Sequence, residues 1–213
     1  LVGSEMCIRD RQRTTADTGI DAFTHAMEAY VSKKSNPYSD SQAIQAMKLI
    51  APNLRTVYHD GNNKKAREAM MLGSTLAGIA FSNASVALVH GMSRPIGAIY
   101  HVPHGLSNDM LLPSVTKYSI PSAKKRYADC ARAMGIATLD DNDDIANGRL
   151  LIELEALNKE LNVPTPQEFG IDKEDFMNKL ETMAEQAIIS GSPGNNPRVP
   201  TSEEIIDIYK TLW

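Results

Sequence analysis

Cysteine is nearly absent from this sequence. The 213 residues contain only Cys7 and Cys130, which lie far apart and have no second pair beside them. A disulfide framework needs several spaced cysteines and a thiolate zinc site needs clustered ones, so this count argues against both. Few cysteines are typical of a reducing compartment, and we therefore expect a cytoplasmic protein.

Long apolar runs and a surplus of one charge are also lacking. No stretch approaches the roughly 18 consecutive apolar residues of a membrane span, and the first residues have neither the apolar core nor the cleavage site of a signal peptide. The 22 basic and 26 acidic residues are well mixed and give a formal net charge of -4. We therefore expect a soluble protein that binds neither a membrane nor nucleic acid.

Alternating strand patterns and internal repeats are missing, whereas apolar residues recur at helical spacing from Thr18 onward. Pro52 is expected to kink the second predicted helix or to divide it in two. The architecture predicted from this pattern is an all-α bundle of eight or nine helices. The predicted helices cover residues 17–30, 40–60, 62–81, 84–100, 104–118, 121–134, 143–161, 173–189 and 202–212.

The five histidines are few, but three of them, His90, His101 and His104, lie in one apolar stretch. Asp21 and His25 are four residues apart on a predicted helix, so both project from one face. One carboxylate with three imidazoles, those of residues 25, 90 and 104, is a ligand set suited to Fe(II) or Zn(II). The alternatives are a first-turn carboxylate favoured by the helix dipole and core histidines bonded to carbonyl groups.

Three long phrases occur in order: T-G-I-D-A-F-T-H-A-M-E-A-Y, F-S-N-A-S-V-A-L-V-H-G-M-S-R-P-I-G and V-P-H-G-L-S-N-D-M-L-L-P. They closely resemble the C-terminal helical domain of the iron-containing (group III) alcohol dehydrogenases. The resemblance extends from about Thr14 to Leu212 and implies the C-terminal fold of the dehydroquinate synthase-like enzymes. It also implies that the aspartate and three histidines of the family's metal site fall on Asp21, His25, His90 and His104.

The resemblance implies roles for a few further residues. Phe81 matches a position that lines the substrate pocket. Arg94 stands where many members have a histidine near the nicotinamide, which puts a proton-relay role there in doubt. His101 is a second catalytic candidate, although pairing with the backbone at a helix end is the alternative. Apart from the resemblance, the position of Glu28 one turn beyond His25 indicates either that it orients the ring of His25 or that it is a solvated helix charge.

The activity implied is hydride transfer between an alcohol or aldehyde and NAD or NADP, with Fe²⁺ or alternatively Zn²⁺ as the Lewis acid. Family members often form dimers or larger assemblies, so we expect a homo-oligomer. The family's nucleotide-binding domain, with its Gly-rich phosphate loop, has no counterpart in this sequence. We therefore expect a fragment that lacks this N-terminal domain and is inactive alone.

The start of the chain carries a separate expectation. The string L-V-G-S-E-M-C-I-R-D-R-Q-R begins with Leu1 rather than Met, has no regular period, and resembles translated adapter sequence at the ends of shotgun reading frames. We expect residues 1–12 to be non-native and residues 13–213 to form the helical, metal-binding catalytic domain.

Three alternatives stay open at this point. The first is a zinc enzyme like glycerol dehydrogenase, within the same superfamily. The second is a helical metal hydrolase that uses a His-Asp dipeptide, for which His59-Asp60 is the candidate, although Asp60-Gly61-Asn62 is typical of an exposed turn. The third is a helical interaction module without catalysis.

Overall fold

A computed structural model of the protein describes residues 12–213, and within that range all regular secondary structure is helical. The predicted all-α fold is confirmed. The expectation for the first dozen residues lies, except for Gln12, outside the described residues. The helices are α1 Gln12–Val31, α2 Pro37–His59, α3 Lys64–Ala84, α4 Leu88–Tyr100, α5 His104–Ser119, α6 Lys124–Ala133, α7 Asp143–Glu160, α8 Pro166–Phe169, α9 Lys173–Asn178, α10 Leu180–Ile189 and α11 Ser202–Lys210, with short 3-10 helices at Ile120–Ser122 and Ser192–Asn195.

The described residues form eleven α-helices rather than the eight or nine predicted, because α8 was not predicted and one predicted helix is divided. The predicted helix 121–134 begins only at Lys124, after a 3-10 turn. Two further breaks change the predicted boundaries. Helix α4 begins at Leu88 rather than at residue 84, because Ser85 has a φ of 65° that no α-helix contains. The segment predicted as one helix over 173–189 is two helices, because Lys179 takes φ -101° and ψ 0°. The first of these breaks bends the chain by 103° between α3 and α4.

Pro52 does not divide its helix, since α2 runs from Pro37 to His59 through it. Proline lacks an N–H group, so the carbonyl of Lys48 loses its helical donor. Lys48 and Pro52 are both exposed, so water can satisfy that carbonyl. The helix therefore tolerates the proline on its solvent side.

Helix α1 is the central element of the bundle. It packs against five helices, α2 to α6, and α10 packs on α4 and α11. Its apolar residues Ile20, Phe23 and Met27 are buried in the main core. The spacing of three and four residues puts these side chains on one stripe of the helix.

Within the described residues, no single helix is both long and apolar enough to cross a membrane. Helices α3 and α4 pass that test only when taken together, and they are bent by 103° at the break between them.

Candidate metal centre

Helix α1 presents Asp21, His25 and Glu28 along one face, because their spacing of four and three residues returns to the same side of a helix. The Nδ1 atom of His25 lies 2.9 Å from the main-chain oxygen of Asp21. The ring of His25 packs against the ring of Phe81 from α3, with 4.4 Å between their centroids. One polar face of the central helix is thus turned inward, toward α3, α4 and α5.

Glu28 holds the start of α4, and with it His90. Its carboxylate accepts hydrogen bonds from the main-chain N–H groups of Ala87 (2.8 Å) and Val89 (2.6 Å), and lies 2.7 Å from Nδ1 of His90. Helix α4 has no side-chain cap of its own. The buried carboxylate therefore serves as that cap and orients the imidazole at once. The sequence analysis gave Glu28 neither of these roles, since it expected a partner in His25 or in solvent.

His104 begins α5 and completes a group of three atoms from three helices. Nε2 of His90 lies 3.3 Å, and Nε2 of His104 3.9 Å, from Oδ1 of Asp21. All three atoms lie within 4.8 Å of one another, as ligands of one metal ion would. The side chain of His90 is 3% exposed and that of His104 is 53% exposed, so the group is open to solvent on the α5 side.

His25 borders this group without belonging to it. Its ring lies 4.1 Å from that of His90, centroid to centroid, and its Nδ1 lies 3.4 Å from Oδ1 of Asp21. Because that nitrogen also faces the backbone of its own helix, Nε2 is the atom left for a further partner. The four residues singled out from the sequence are therefore neighbours, with three of them in one tight group.

Asn108, one turn beyond His104 on α5, also faces the group. Its Nδ2 atom lies 2.7 Å from Oδ1 of Asp21 and 3.2 Å from Nε2 of both His90 and His104. The side chain is fully buried, and its Oδ1 atom has no hydrogen-bond partner among the described residues. The sequence analysis missed Asn108, although its spacing of four residues from His104 places it on the same helix face.

Burial and mutual charge move the pKa values of the group apart. Burial alone lowers the pKa of His90, but its contacts with Asp21 and Glu28 outweigh burial and raise that pKa to about 9. Burial raises the pKa of Asp21, but the hydrogen bond with His90 and the surrounding imidazole charges outweigh it, so the net shift is downward. The pKa of His25 is lowered by burial and by the charge of His90.

A pair of aspartates lies one helical turn from Asp21, where Asp17 of α1 faces Asp109 of α5. Asp109 is fully buried, and burial together with the charge of Asp17 raises its pKa well above the usual range. Arg13 donates from Nε to Oδ1 of Asp17 at 2.6 Å. Burial nevertheless outweighs the contacts with Arg13 and raises the pKa of Asp17.

The other sequence candidates lie around the rim. Arg94 is exposed on α4, and the pKa of His104 is lowered by burial and then by the charges of His90 and Arg94. His101 ends α4 in the left-handed conformation, with its N–H bonded to the oxygen of Gly97 at 3.0 Å and its side chain exposed. Neither residue contacts the group of three atoms through a bond that the structure shows.

The His59-Asp60 dipeptide lies apart, at the end of α2. Nε2 of His59 is 3.1 Å from Oε1 of Glu160, and Oδ1 of Asp60 accepts from the N–H of Asn62. The side chain of His59 is exposed, so the pair forms an open surface turn, as the sequence indicated. A hydrolase site at this dipeptide is not favoured.

Comparison with known proteins decides the family. The model of the C-terminal part of the Fe-containing alcohol dehydrogenase family matches residues 15–213. The chain belongs to this family. It is 41% identical to a 1,3-propanediol dehydrogenase of Citrobacter freundii over 93% of its length, and 36% identical to an NADPH-dependent butanol dehydrogenase of Clostridium saccharobutylicum over 100% of it.

The same relation holds in three dimensions. A crystal structure of a 1,3-propanediol oxidoreductase superposes on 97% of this chain with a TM-score of 0.91 and 36% identity. The predicted family and helical fold are thereby confirmed. The chain covers 53% of that structure, and 51% and 54% of the two dehydrogenases, so it spans about half the length of its relatives.

Proposed function

We propose that Asp21, His25, His90 and His104 hold a divalent cation, Fe²⁺ or alternatively Zn²⁺. The group of three convergent atoms from α1, α4 and α5 is the observation that carries this proposal. The donor set fits such an ion, because imidazole and carboxylate are ligands that both metals accept. Glu28 adds support, since a carboxylate on the far nitrogen of a metal-binding histidine is a common arrangement.

The function proposed for the site is that of an NAD(P)-linked alcohol dehydrogenase or aldehyde reductase acting on a small molecule. A bound cation supplies a Lewis acid for the alcohol or carbonyl oxygen. Two relatives, a butanol dehydrogenase and a 1,3-propanediol dehydrogenase, support this class of substrate. Membership of the iron-containing family favours Fe²⁺ over Zn²⁺.

The residues of this chain hold and shape the site. Glu28 fixes the ring of His90 so that Nε2 faces Asp21. Phe81 places an apolar ring beside His25 and supports a pocket wall for the carbon chain of a substrate. The exposed side of His104 leaves an approach open. Arg94 and His101, at the rim, are retained as candidates for contact with cofactor or substrate.

Hydride transfer is proposed to need a nucleotide-binding domain in addition to this helical domain of residues 13–213. The length of the relatives, about twice that of this chain, supports that requirement. A homo-oligomer in the cytoplasm completes the proposal, with residues 1–12 taking no part in it.

The test is a chimera in which residues 15–213 replace the matching part of the C. freundii dehydrogenase. With Fe²⁺ supplied, we expect oxidation of 1,3-propanediol with formation of NADH or NADPH, while the 213-residue chain alone gives none. His90→Ala in the chimera should reduce turnover by at least roughly a hundredfold, because Lewis-acid stabilisation is lost. His59→Ala, on the surface, is the control and should leave turnover unchanged. A folded, cation-loaded chimera without turnover would contradict the proposal.

A further inference from the structure

Asn108 occupies an unusual position beside the three convergent atoms. Its amide nitrogen lies 2.7–3.2 Å from Oδ1 of Asp21 and from Nε2 of His90 and of His104. Neighbouring ligands of one ion, each about 2.1 Å from it and at right angles, lie roughly 3.0 Å apart. The end of the Asn108 side chain therefore has the spacing of one more ligand.

In the described part of the chain, only one end of the Asn108 amide has a hydrogen-bond partner. The NH₂ group has Asp21 as an acceptor, whereas Oδ1 is buried without a partner among the described residues. An unpaired buried acceptor destabilises the folded chain. Turning the amide by half a rotation would place an oxygen 2.7 Å from the carboxylate oxygen, and a cation between them would remove that repulsion.

We propose that Asn108 is a further residue of the metal site, whose amide turns its oxygen toward the cation when one is bound. In this structure the NH₂ group lies against Asp21 and His104, and with a cation bound Oδ1 would become an additional oxygen donor. Carboxamide oxygen is a donor that hard and borderline divalent ions accept. The inference rests on the metal site proposed above and deepens it.

The test measures Co²⁺ and Zn²⁺ binding by the unsubstituted 213-residue chain and by two variants. In both variants the new side chain is similar in size to asparagine. Asn108→Leu removes the donor and should weaken the affinity by roughly tenfold or more. Asn108→Asp keeps an oxygen at that place and adds a charge, so affinity should be kept or should rise. The visible absorption of bound Co²⁺ should become stronger in Asn108→Leu, because a lower coordination number gives more intense bands.

Asn158→Leu is the matched control. Asn158 also has an unpartnered buried Oδ1, but its NH₂ donates to the main-chain oxygen of Asp109, so cation affinity and the Co²⁺ spectrum should not change. An Asn108→Leu chain that binds as tightly as the unsubstituted one, with the same spectrum, would overturn the role of Asn108 alone. An unsubstituted folded chain that binds no cation would overturn the metal site together with it.

Discussion

Glu28 contacts both the backbone at the start of α4 and the side chain of His90. One buried carboxylate accepts from two main-chain N–H groups at the start of α4 and contacts Nδ1 of His90. The free N–H groups of a helix start favour an anion, and the histidine gains a fixed orientation from the same group. The position of His90 therefore depends on a residue that lies more than sixty positions earlier in the chain.

Replacing Glu28 by Gln tests this dependence. The new NH₂ group would face donors, so we expect the free energy of unfolding to fall by about 1–3 kcal/mol. Cation affinity should fall by roughly 10–100-fold, as is typical when the partner of a metal-bound histidine is lost. Urea unfolding and a chelator competition titration measure the two effects.

Glu185→Gln, on the exposed face of α10, is the control and should change neither quantity. An unchanged unfolding midpoint and an unchanged cation affinity in Glu28→Gln would show that Glu28 supports neither α4 nor His90.

The sequence predicted which charged and aromatic residues belong to the site, but not which side chains contact one another. Asp21 and His25 are close in the chain, so helical spacing alone puts them on one face. The bond from Glu28 to His90 depends on how α1 and α4 pack, which no local pattern records. Asn108 has no charge and so gave no signal, although its position one turn after His104 was available.

At the scale of elements, the site depends on how closely α5 approaches α1. A β-carbon added at Gly105 would lie 2.6 Å from the main-chain oxygen of Asp17, closer than such atoms can come. Gly105 follows His104, and Asp17 lies one turn before Asp21. The absence of a side chain at Gly105 therefore lets α1 and α5, which carry two of the proposed ligands, come together.

We expect Gly105→Ala to force α1 and α5 apart. Overpacking of this kind typically costs about 1–3 kcal/mol of unfolding free energy, and cation affinity should fall with it because Asp21 and His104 separate. Gly148→Ala, in helix α7 with open space around it, is the control and should be neutral or stabilise by about 0.5–1 kcal/mol. Equal stability and affinity of Gly105→Ala and the unsubstituted chain would contradict the close approach.

Residues 192–195, near the end of the chain, contact the start of α4. Asn195 donates from Nδ2 to the oxygens of Val86 and of the Ser85 side chain, within the break that precedes α4. Pro193 lies so close to Gly91 that a β-carbon there would be 2.7 Å from its ring. The apolar periodicity predicts the start of α4 too early, because contacts with residues distant in sequence support the break before it.

At the scale of the whole molecule, the bundle brings the proposed ligand atoms together from three helices, the central α1 and its neighbours α4 and α5. The helical fold was predictable because the apolar period is strong nearly everywhere. The family was predictable because three long phrases occur in order, whereas the position of each side chain in the site required the packed structure. The chain spans about half the length of its relatives.

The central claim is that this domain builds a metal site, and cation content tests it most directly. The purified 213-residue chain, loaded with Fe²⁺ without oxygen or with Zn²⁺, should retain about one ion per chain after removal of the excess. His90→Ala should lose it, while His59→Ala should keep it, and circular dichroism should show that all three are folded. A folded unsubstituted chain without a bound ion, or a His90→Ala chain that retains as much, would contradict the account.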